Sequence, residues 1–369
     1  MNVATLPNHP VRAGVRRVLL RKPVRKPAAR AAVAVLRTRA GRRVVTWAAR
    51  RHARRTVDRV EWPRLLYVPA AVTYAQLRRK LGPPPSALSV AVAYATPAVV
   101  YSALPRGRAR TYLTWLAHMW AYKVAFEVPY DHPNRRRRRL LIDQPIATDG
   151  VLGRGTPPSQ RLQRRLRRPP RLTLLDRALT ALYMLWELEP HIALGWLLTR
   201  HPGRFPGAAV RLGLTFDATL IGYFAFPTAP PWWASEMEGR MDGEVRRVNA
   251  EVLRALQRER RPGTPQEHNP GSNPWAAWPS DHFASALSAA IALAEADPRA
   301  GAAGFAYAAG LGFALVYSGE HYVTDLLLGA AVALAIHGAG TALTGPAVRL
   351  AEALVQPGPR YKRITRLRR

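Results

Sequence analysis

The stretch AGAAGFAYAAGLGFALVYSGEHYVTDLLLGAAVALAIHG, residues 300–338, decides the fold class. It contains an uncharged run at 300–319 and the start of a second at 326–348, in which His337 is the one titratable side chain. A membrane-spanning helix needs about 20 mostly apolar residues, and both runs satisfy that length. Four further segments come close to it, at 88–105, 178–199, 208–226 and 282–297.

A large soluble helical bundle rich in alanine is the alternative to a membrane protein. Six separate apolar blocks bounded by arginine clusters, proline and glycine are hard to fold in that way. The alanine and glycine content also suits close packing between membrane helices. The sequence therefore predicts an all-α fold, namely a polytopic membrane helical bundle with about six transmembrane helices and a basic N-terminal arm.

The average composition of the chain is more polar than is typical of a membrane protein, but this average hides where the charged residues lie. The 369 residues carry 56 Lys+Arg against 23 Asp+Glu, which gives a net charge of +33, and the mean hydropathy is −0.15. Apart from Lys123, Arg177 and Arg211, which lie in or beside apolar segments, the basic residues are in the arm, the loops and the tail. The chain has no cysteine, which excludes a disulfide framework, a thiolate metal site and a cysteine nucleophile.

The distribution of charge divides the chain into four regions. We predict a basic, largely disordered arm at 1–60, N-terminal membrane segments with a basic loop at 61–171, a membrane core at 172–345 and a basic tail at 346–369. No signal peptide is predicted, because the arm has no uninterrupted apolar run followed by a small-residue cleavage site. We expect the arm and tail to bind anionic lipid head groups. Nucleic acid is not expected as a partner, because Trp47 is the sole aromatic residue of the arm and base stacking needs more.

Three short motifs lie at the ends of apolar segments: PTAPPWW (227–233), NPWAAWPSDH (273–282) and YSGEHYVTD (317–325). The two apolar segments between the second and third motifs predict one hairpin through the membrane. His282 and His321 would then return to the same membrane face. The first motif would end on that face as well, because the segment that follows it is too polar to cross.

The second and third motifs carry residues suited to acid–base and nucleophilic chemistry. His321 and Asp325 are four residues apart and share a face on a helix, so that Asp325 can fix the imidazole tautomer and raise the basicity of the other ring nitrogen. A capping or packing pair is the common alternative for this spacing alone. Ser280 predicts an N-cap, with Asp281 and His282 in the first turn, where free backbone N–H groups can hold a phosphate. Two histidines and one carboxylate there suit phosphoryl transfer without a metal, and no cofactor is predicted.

In order and spacing, the three motifs resemble those of the type 2 phosphatidic acid phosphatase superfamily. The closest resemblance is to its inositol phosphorylceramide synthase-like branch, over about residues 172–345 and more loosely over 112–171. The resemblance implies an integral-membrane phosphatase or phosphotransferase that acts on a lipid phosphate or a lipid head group. Whether water or an alcohol accepts the phosphoryl group stays open. A non-enzymatic membrane protein whose arginine-rich arm binds anionic lipid or nucleic acid is the alternative function.

The resemblance also assigns roles to individual residues. It implies that His321 attacks phosphorus and forms a phosphohistidine, that Asp325 orients His321, and that His282 protonates the leaving alkoxide. It further implies that the segment from Pro227 to Trp232 lines the entrance for the substrate.

The chain departs from the pattern of the wider superfamily in its basic residues. That pattern has a lysine or arginine in the first motif and an arginine six positions before the nucleophile, whereas PTAPPWW has no basic residue and position 315 is leucine. We therefore expect the substrate phosphate to be bound by the backbone amides at 280–282 and by one of Arg240, Arg246 and Arg247.

Three further motif residues complete the predicted substrate-binding set: Ser280, Asp281 and Tyr317. Asp281 stands where a small or apolar residue is common in the superfamily. A carboxylate beside a phosphate is unfavourable, so the prediction requires Asp281 to point outward and cap its helix.

The orientation in the membrane depends on the segments at 88–105 and 112–128. If both cross, the excess of Lys and Arg places the active site in the cytoplasm, and if one crosses, the active site faces outside. The resemblance implies an extracytoplasmic active site in a multi-pass cell membrane protein. We therefore favour one crossing, although the five arginines at 135–139 then lie on the outer side, against the usual rule.

Overall fold

The computed structural model describes residues 60–81, 86–105, 107–127, 139–241, 244–260 and 273–355, without the side chains of 78–81, 86, 259–260 and 340–355. The predicted disordered arm and most of the predicted basic tail lie outside the described residues. So do Arg135 to Arg138 of the five-arginine run.

The described residues form fourteen α-helices, and their β-type pairing is confined to three isolated bridges. The predicted all-α fold class is therefore confirmed. The helices are α1 (Trp62–Leu65), α2 (Tyr67–Leu81), α3 (Ser86–Ala103), α4 (Arg108–Glu127), α5 (Asp143–Leu152), α6 (Pro158–Leu166), α7 (Leu174–Leu185), α8 (Glu189–Arg200), α9 (Phe205–Ala225), α10 (Pro231–Glu236), α11 (Val248–Arg260), α12 (Asp281–Ala294), α13 (Pro298–Tyr317) and α14 (Val323–Val355).

The centre of the fold is the hairpin of α12 and α13, against which α14 and α9 pack. Small residues let the two hairpin helices approach closely. A Cβ atom on Gly304 of α13 would lie 2.9 Å from the Cα atom of Ala290 of α12. The tight turn between them ends at Asp297, whose carboxylate accepts hydrogen bonds from the first free backbone N–H groups of α13, as an N-cap does.

One helix of the described ranges is long and apolar enough to cross a membrane, Pro298–Tyr317. Shorter apolar helices run over Ala87–Ala103, Asp281–Ala294 and Val323–Ala339, so the six predicted spans are not established. The apolar segment 178–199 forms two helices, because α7 ends at Leu185 and α8 begins at Glu189, and whether it crosses a membrane stays a prediction. Many large apolar side chains on these helices remain exposed, among them Leu185, Leu188, Ile192, Ile221, Phe305, Phe313, Leu327 and Leu334.

Backbone hydrogen bonds hold the three motifs together. The N–H of Thr228 donates to the carbonyl of Trp275 at 2.9 Å, which joins the first motif to the second. The N–H of Trp232 donates to the carbonyl of Gly319 at 3.0 Å, which joins the first motif to the third. Gly319 has φ +75°, a conformation that glycine adopts without strain, and it turns the chain from α13 toward α14.

Candidate active site

His321, just before α14, contacts Asp325 in the first turn of that helix. The Nδ1 atom of His321 lies 3.1 Å from Oδ2 of Asp325, and the backbone N–H of Tyr322 donates to the same oxygen at 2.8 Å. Both side chains are buried. Because Oδ2 of Asp325 is a hydrogen-bond acceptor, it assigns the ring proton of His321 to Nδ1. The lone pair of the imidazole is then on Nε2.

His282 faces that lone pair from the first turn of α12. Its Nδ1 atom lies 3.2 Å from Nε2 of His321. The imidazole of His282 packs on Tyr183 of α7 and on Trp186, the residue that follows α7, with ring centroids 5.4 Å and 4.1 Å away. The indole N–H of Trp186 donates to Ser285 at 2.8 Å, which fixes this aromatic wall to α12. The sequence predicts that His282 and His321 lie on the same face, and in the structure the two side chains are in direct contact.

Burial keeps the nucleophile candidate uncharged. Desolvation of the buried imidazole, with the nearby charge of His282, lowers the pKa of His321 to about 3, although Asp281 and Glu320 oppose the shift. A neutral imidazole with its proton on Nδ1 is the form that attacks an electrophile through Nε2.

The expectation that Asp281 points outward is wrong. The side chain is buried, its Oδ2 accepts a hydrogen bond from the hydroxyl of Tyr122, and its Oδ1 lies 3.2 Å from Nδ1 of His282. The backbone N–H of Asp281 donates to the hydroxyl of Tyr223 at 3.0 Å. The physical reason is that Tyr122 and Tyr223 are buried and provide hydrogen-bond partners for the carboxylate and the backbone N–H of Asp281 inside the protein. As a result, His282 lies beside Asp281 just as His321 lies beside Asp325.

The backbone amides at 280–282 are less available for a phosphate than predicted. The N–H of Ser280 donates to the carbonyl of Asp325 at 3.0 Å, and that of Asp281 is taken by Tyr223. The hydroxyl of Ser280 accepts from the N–H of Phe283 at 3.3 Å, so its predicted role as an N-cap is confirmed. This helix start is therefore mostly satisfied by the protein itself.

The three candidate arginines are not equivalent. Arg240 is paired with the exposed Asp143 at 2.7 Å, and Arg246 with Glu244 at 2.9 Å. Arg247 instead pairs with Glu320, the residue that precedes His321, at 2.9 Å through Nε and at 3.4 Å through a terminal nitrogen.

Arg247 also connects the site to the first motif. Its guanidinium carbon stands 4.6 Å from the ring centroid of Trp232, within the range of a cation–π contact. Trp232 and Pro227 are both buried, so the predicted entrance segment forms part of the packed wall around Arg247.

Tyr317 does not face the histidines. Its side chain is buried and its hydroxyl donates to Asp176 at 2.5 Å. Asp176 belongs to the capping box that begins α7. The hydroxyl of Tyr317 thus connects α13 to α7 in this structure, and its role as a substrate-binding residue stays a prediction.

The sequence does not predict several residues that line the site, namely Tyr122, Tyr183, Trp186, Glu320 and Asp149. Tyr183 and Trp186 gave a usable signal, since aromatic residues three apart in an apolar segment share a face. Asp149 is an acidic residue in a basic loop, and nothing local connects it to α14. Within the described part of the chain, no group of three or more His, Cys, Asp or Glu side chains is arranged to hold a metal ion.

Comparison with known proteins supports one family. The family model described as the PAP2 superfamily matches residues 160–339, which is just under half of the chain. No curated protein and no solved structure matches the chain. The matched region contains His282, His321 and Asp325, so the similarity to the PAP2 superfamily covers the candidate active site.

Proposed function

We propose that this chain is an integral-membrane lipid phosphatase or phosphotransferase that works through a phosphohistidine and is related to the inositol phosphorylceramide synthase-like branch. The observation that carries the proposal is the contact between Nε2 of His321 and Nδ1 of His282, 3.2 Å apart. The similarity of residues 160–339 to the PAP2 superfamily supports phosphoryl transfer as the reaction class.

The reaction has two displacement steps. Nε2 of His321 attacks phosphorus and forms the P–N bond, while the P–O bond to the lipid alkoxide breaks and His282 gives that oxygen a proton. His282 then takes a proton from water or from an acceptor alcohol, whose oxygen attacks phosphorus and releases His321. Water yields a free phosphate, and an alcohol yields a new phosphate ester.

Substrate binding has to separate the two imidazoles. At 3.2 Å between the two nitrogens, no phosphoryl group fits between them, and His321 is buried. His282 is the more accessible ring, with 16% of its side chain exposed. Rotation of His282 away from Nε2 opens the path for phosphorus and carries the acid toward the leaving oxygen.

Arg247 is the strongest of the candidate phosphate ligands. It lies next to Glu320, the residue that precedes the nucleophile, and 33% of its side chain is exposed. A phosphate accepts from a guanidinium with the same two-oxygen geometry as a carboxylate does. The substrate phosphate therefore takes the position that Glu320 holds in this structure.

The membrane part of the proposal rests on the apolar helix Pro298–Tyr317 and the exposed apolar side chains around it. We place the active site on the extracytoplasmic side of a multi-pass protein. The basic arm and tail are assigned to anionic lipid head groups, without nucleic acid as a partner.

The test uses purified full-length protein in lipid–detergent micelles with a lipid phosphate. We expect the wild type to release or transfer phosphate and to acquire an acid-labile phosphoryl label, and His321→Ala to lose both. His201→Ala is the matched control, because His201 ends α8 and packs on Trp196. Equal rates for wild type and His321→Ala would refute the proposal and favour the non-enzymatic alternative. Added alcohol acceptors separate transferase from phosphatase.

A further inference from the structure

Asp149 is a fully buried carboxylate at the edge of the candidate site. It lies in α5, with no exposed surface, and upstream of the region that matches the family model. Its Oδ1 accepts a hydrogen bond from the backbone N–H of Thr324 at 3.1 Å. A residue 175 positions away along the chain thus contacts the first turn of the helix that carries Asp325.

The first turn of a helix has backbone N–H groups without partners inside the helix. At the start of α14, the N–H of Tyr322 donates to Asp325 and the N–H of Thr324 donates to Asp149. Asp325 therefore contacts both His321 and its own helix start, while Asp149 holds the peptide group of Thr324 in place.

We propose that Asp149 is a positioning residue, a cap supplied by α5 that fixes the first turn of α14 and thereby the hydrogen bond between Asp325 and His321. Its catalytic consequence rests on the proposed function, whereas the capping itself does not. Thr324 directly precedes Asp325, so a shift of the helix start at Thr324 also shifts the carboxylate that orients the imidazole.

The cap needs an acceptor oxygen and does not need a negative charge. Burial, with the nearby Asp325, raises the pKa of Asp149 to about 6, because both disfavour the charged form. An asparagine at this position keeps the Oδ1 acceptor, whereas an alanine removes it. Asp143 provides a matched control, because it lies on α5 but is exposed and paired with Arg240.

The first measurement is hydrogen exchange of the segment 322–327 in the full-length protein. We expect Asp149→Ala to speed exchange of the Thr324 amide by about tenfold, as the loss of a cap does. Asp149→Asn and Asp143→Ala are expected to behave as the wild type. Wild-type exchange in Asp149→Ala, or equal acceleration in Asp149→Asn, would overturn the capping.

The second measurement reads the position of the imidazole without any activity. The proton on Nδ1 of His321 is assigned in the imidazole NMR spectrum by its loss in His321→Gln. We expect this signal to be broadened or lost in Asp149→Ala and retained in Asp149→Asn, and an unchanged signal in Asp149→Ala would overturn the positioning role.

Activity gives a third, separable result. We expect Asp149→Ala to lower kcat by about tenfold to a hundredfold, the usual effect of a misplaced catalytic group, with KM little changed and with rescue by Asp149→Asn. An unchanged kcat in Asp149→Ala would refute the catalytic consequence. Absence of activity in the wild type would contradict the proposed function alone, since the exchange and NMR results still decide the role of Asp149. If Asp149→Ala does not fold, Thr324→Pro removes the donor instead, at a helix position where proline is tolerated.

Discussion

Gly329 sets the distance between the two helices that carry the catalytic candidates. A Cβ atom at this position of α14 would lie 2.4 Å from the carbonyl oxygen of Ser280 at the start of α12, whereas ordinary van der Waals contact begins at 3.4 Å. Gly329→Ala therefore pushes the two helices apart by about 1 Å, and backbone is less able to yield than a flexible side chain. The 3.0 Å hydrogen bond from the N–H of Ser280 to the carbonyl of Asp325 is stretched by the same movement.

A displacement of about 1 Å in a catalytic constellation costs up to about a hundredfold in rate. We expect Gly329→Ala to lower kcat by about that factor in the lipid phosphate assay, with a folded protein by circular dichroism. Gly338→Ala is the matched control on the same helix, because a Cβ atom there meets nothing within 4 Å and the substitution favours the helix. Wild-type activity in folded Gly329→Ala would refute the reasoning that this close approach holds the histidine pair together.

Three further substitutions test the hydrogen bonds of the site. Asp325→Asn is expected to lower kcat by about 10²- to 10⁴-fold through loss of the charge and of the fixed tautomer of His321, and a loss below tenfold would contradict this. The pKa of His321 is lowered to about 3 in the folded protein, whereas it is about 6.5 in the unfolded chain. Between these two pH values the unfolded chain binds one more proton than the folded protein, so the free energy of unfolding falls by about 1.4 kcal/mol for each pH unit of acidification. His321→Gln is therefore expected to show a shallower loss of unfolding free energy with acid than the wild type, and equal slopes would contradict the buried neutral imidazole. Tyr122→Phe is expected to destabilise the protein by about 1–3 kcal/mol in thermal unfolding, because the buried Asp281 loses a donor, and an unchanged Tm would speak against that hydrogen bond.

The parts of the site that the sequence predicts correctly depend on short-range rules. His321 and Asp325 are four residues apart at a helix start, and Ser280 occupies an N-cap position, so their contacts follow from helix geometry. The meeting of His282 with His321 needs one further rule, that an apolar hairpin returns to the face from which it left.

The parts that the sequence misses depend on partners far along the chain. Asp281 turns inward because Tyr122, 159 residues earlier, donates to its carboxylate. Arg247 differs from the other candidate arginines through its contacts with Glu320 and Trp232, and which acid pairs with which arginine is not a local property. The break between α7 and α8, in contrast, has a local signal in Glu187, Glu189 and Pro190.

The large positive charge of the chain does not by itself explain recognition of a phosphate at this site. The three candidate arginines already have acidic partners, since Arg240 is paired with Asp143, Arg246 with Glu244 and Arg247 with Glu320. The net charge of +33 therefore acts at long range, where it attracts anionic surfaces and is screened by salt. Under the proposed function, a substrate phosphate reaches Arg247 by replacing a carboxylate that is already in place. The substrate phosphate and the Glu320 carboxylate compete for the guanidinium of Arg247. Glu320 therefore determines the affinity for substrate as directly as Arg247 does.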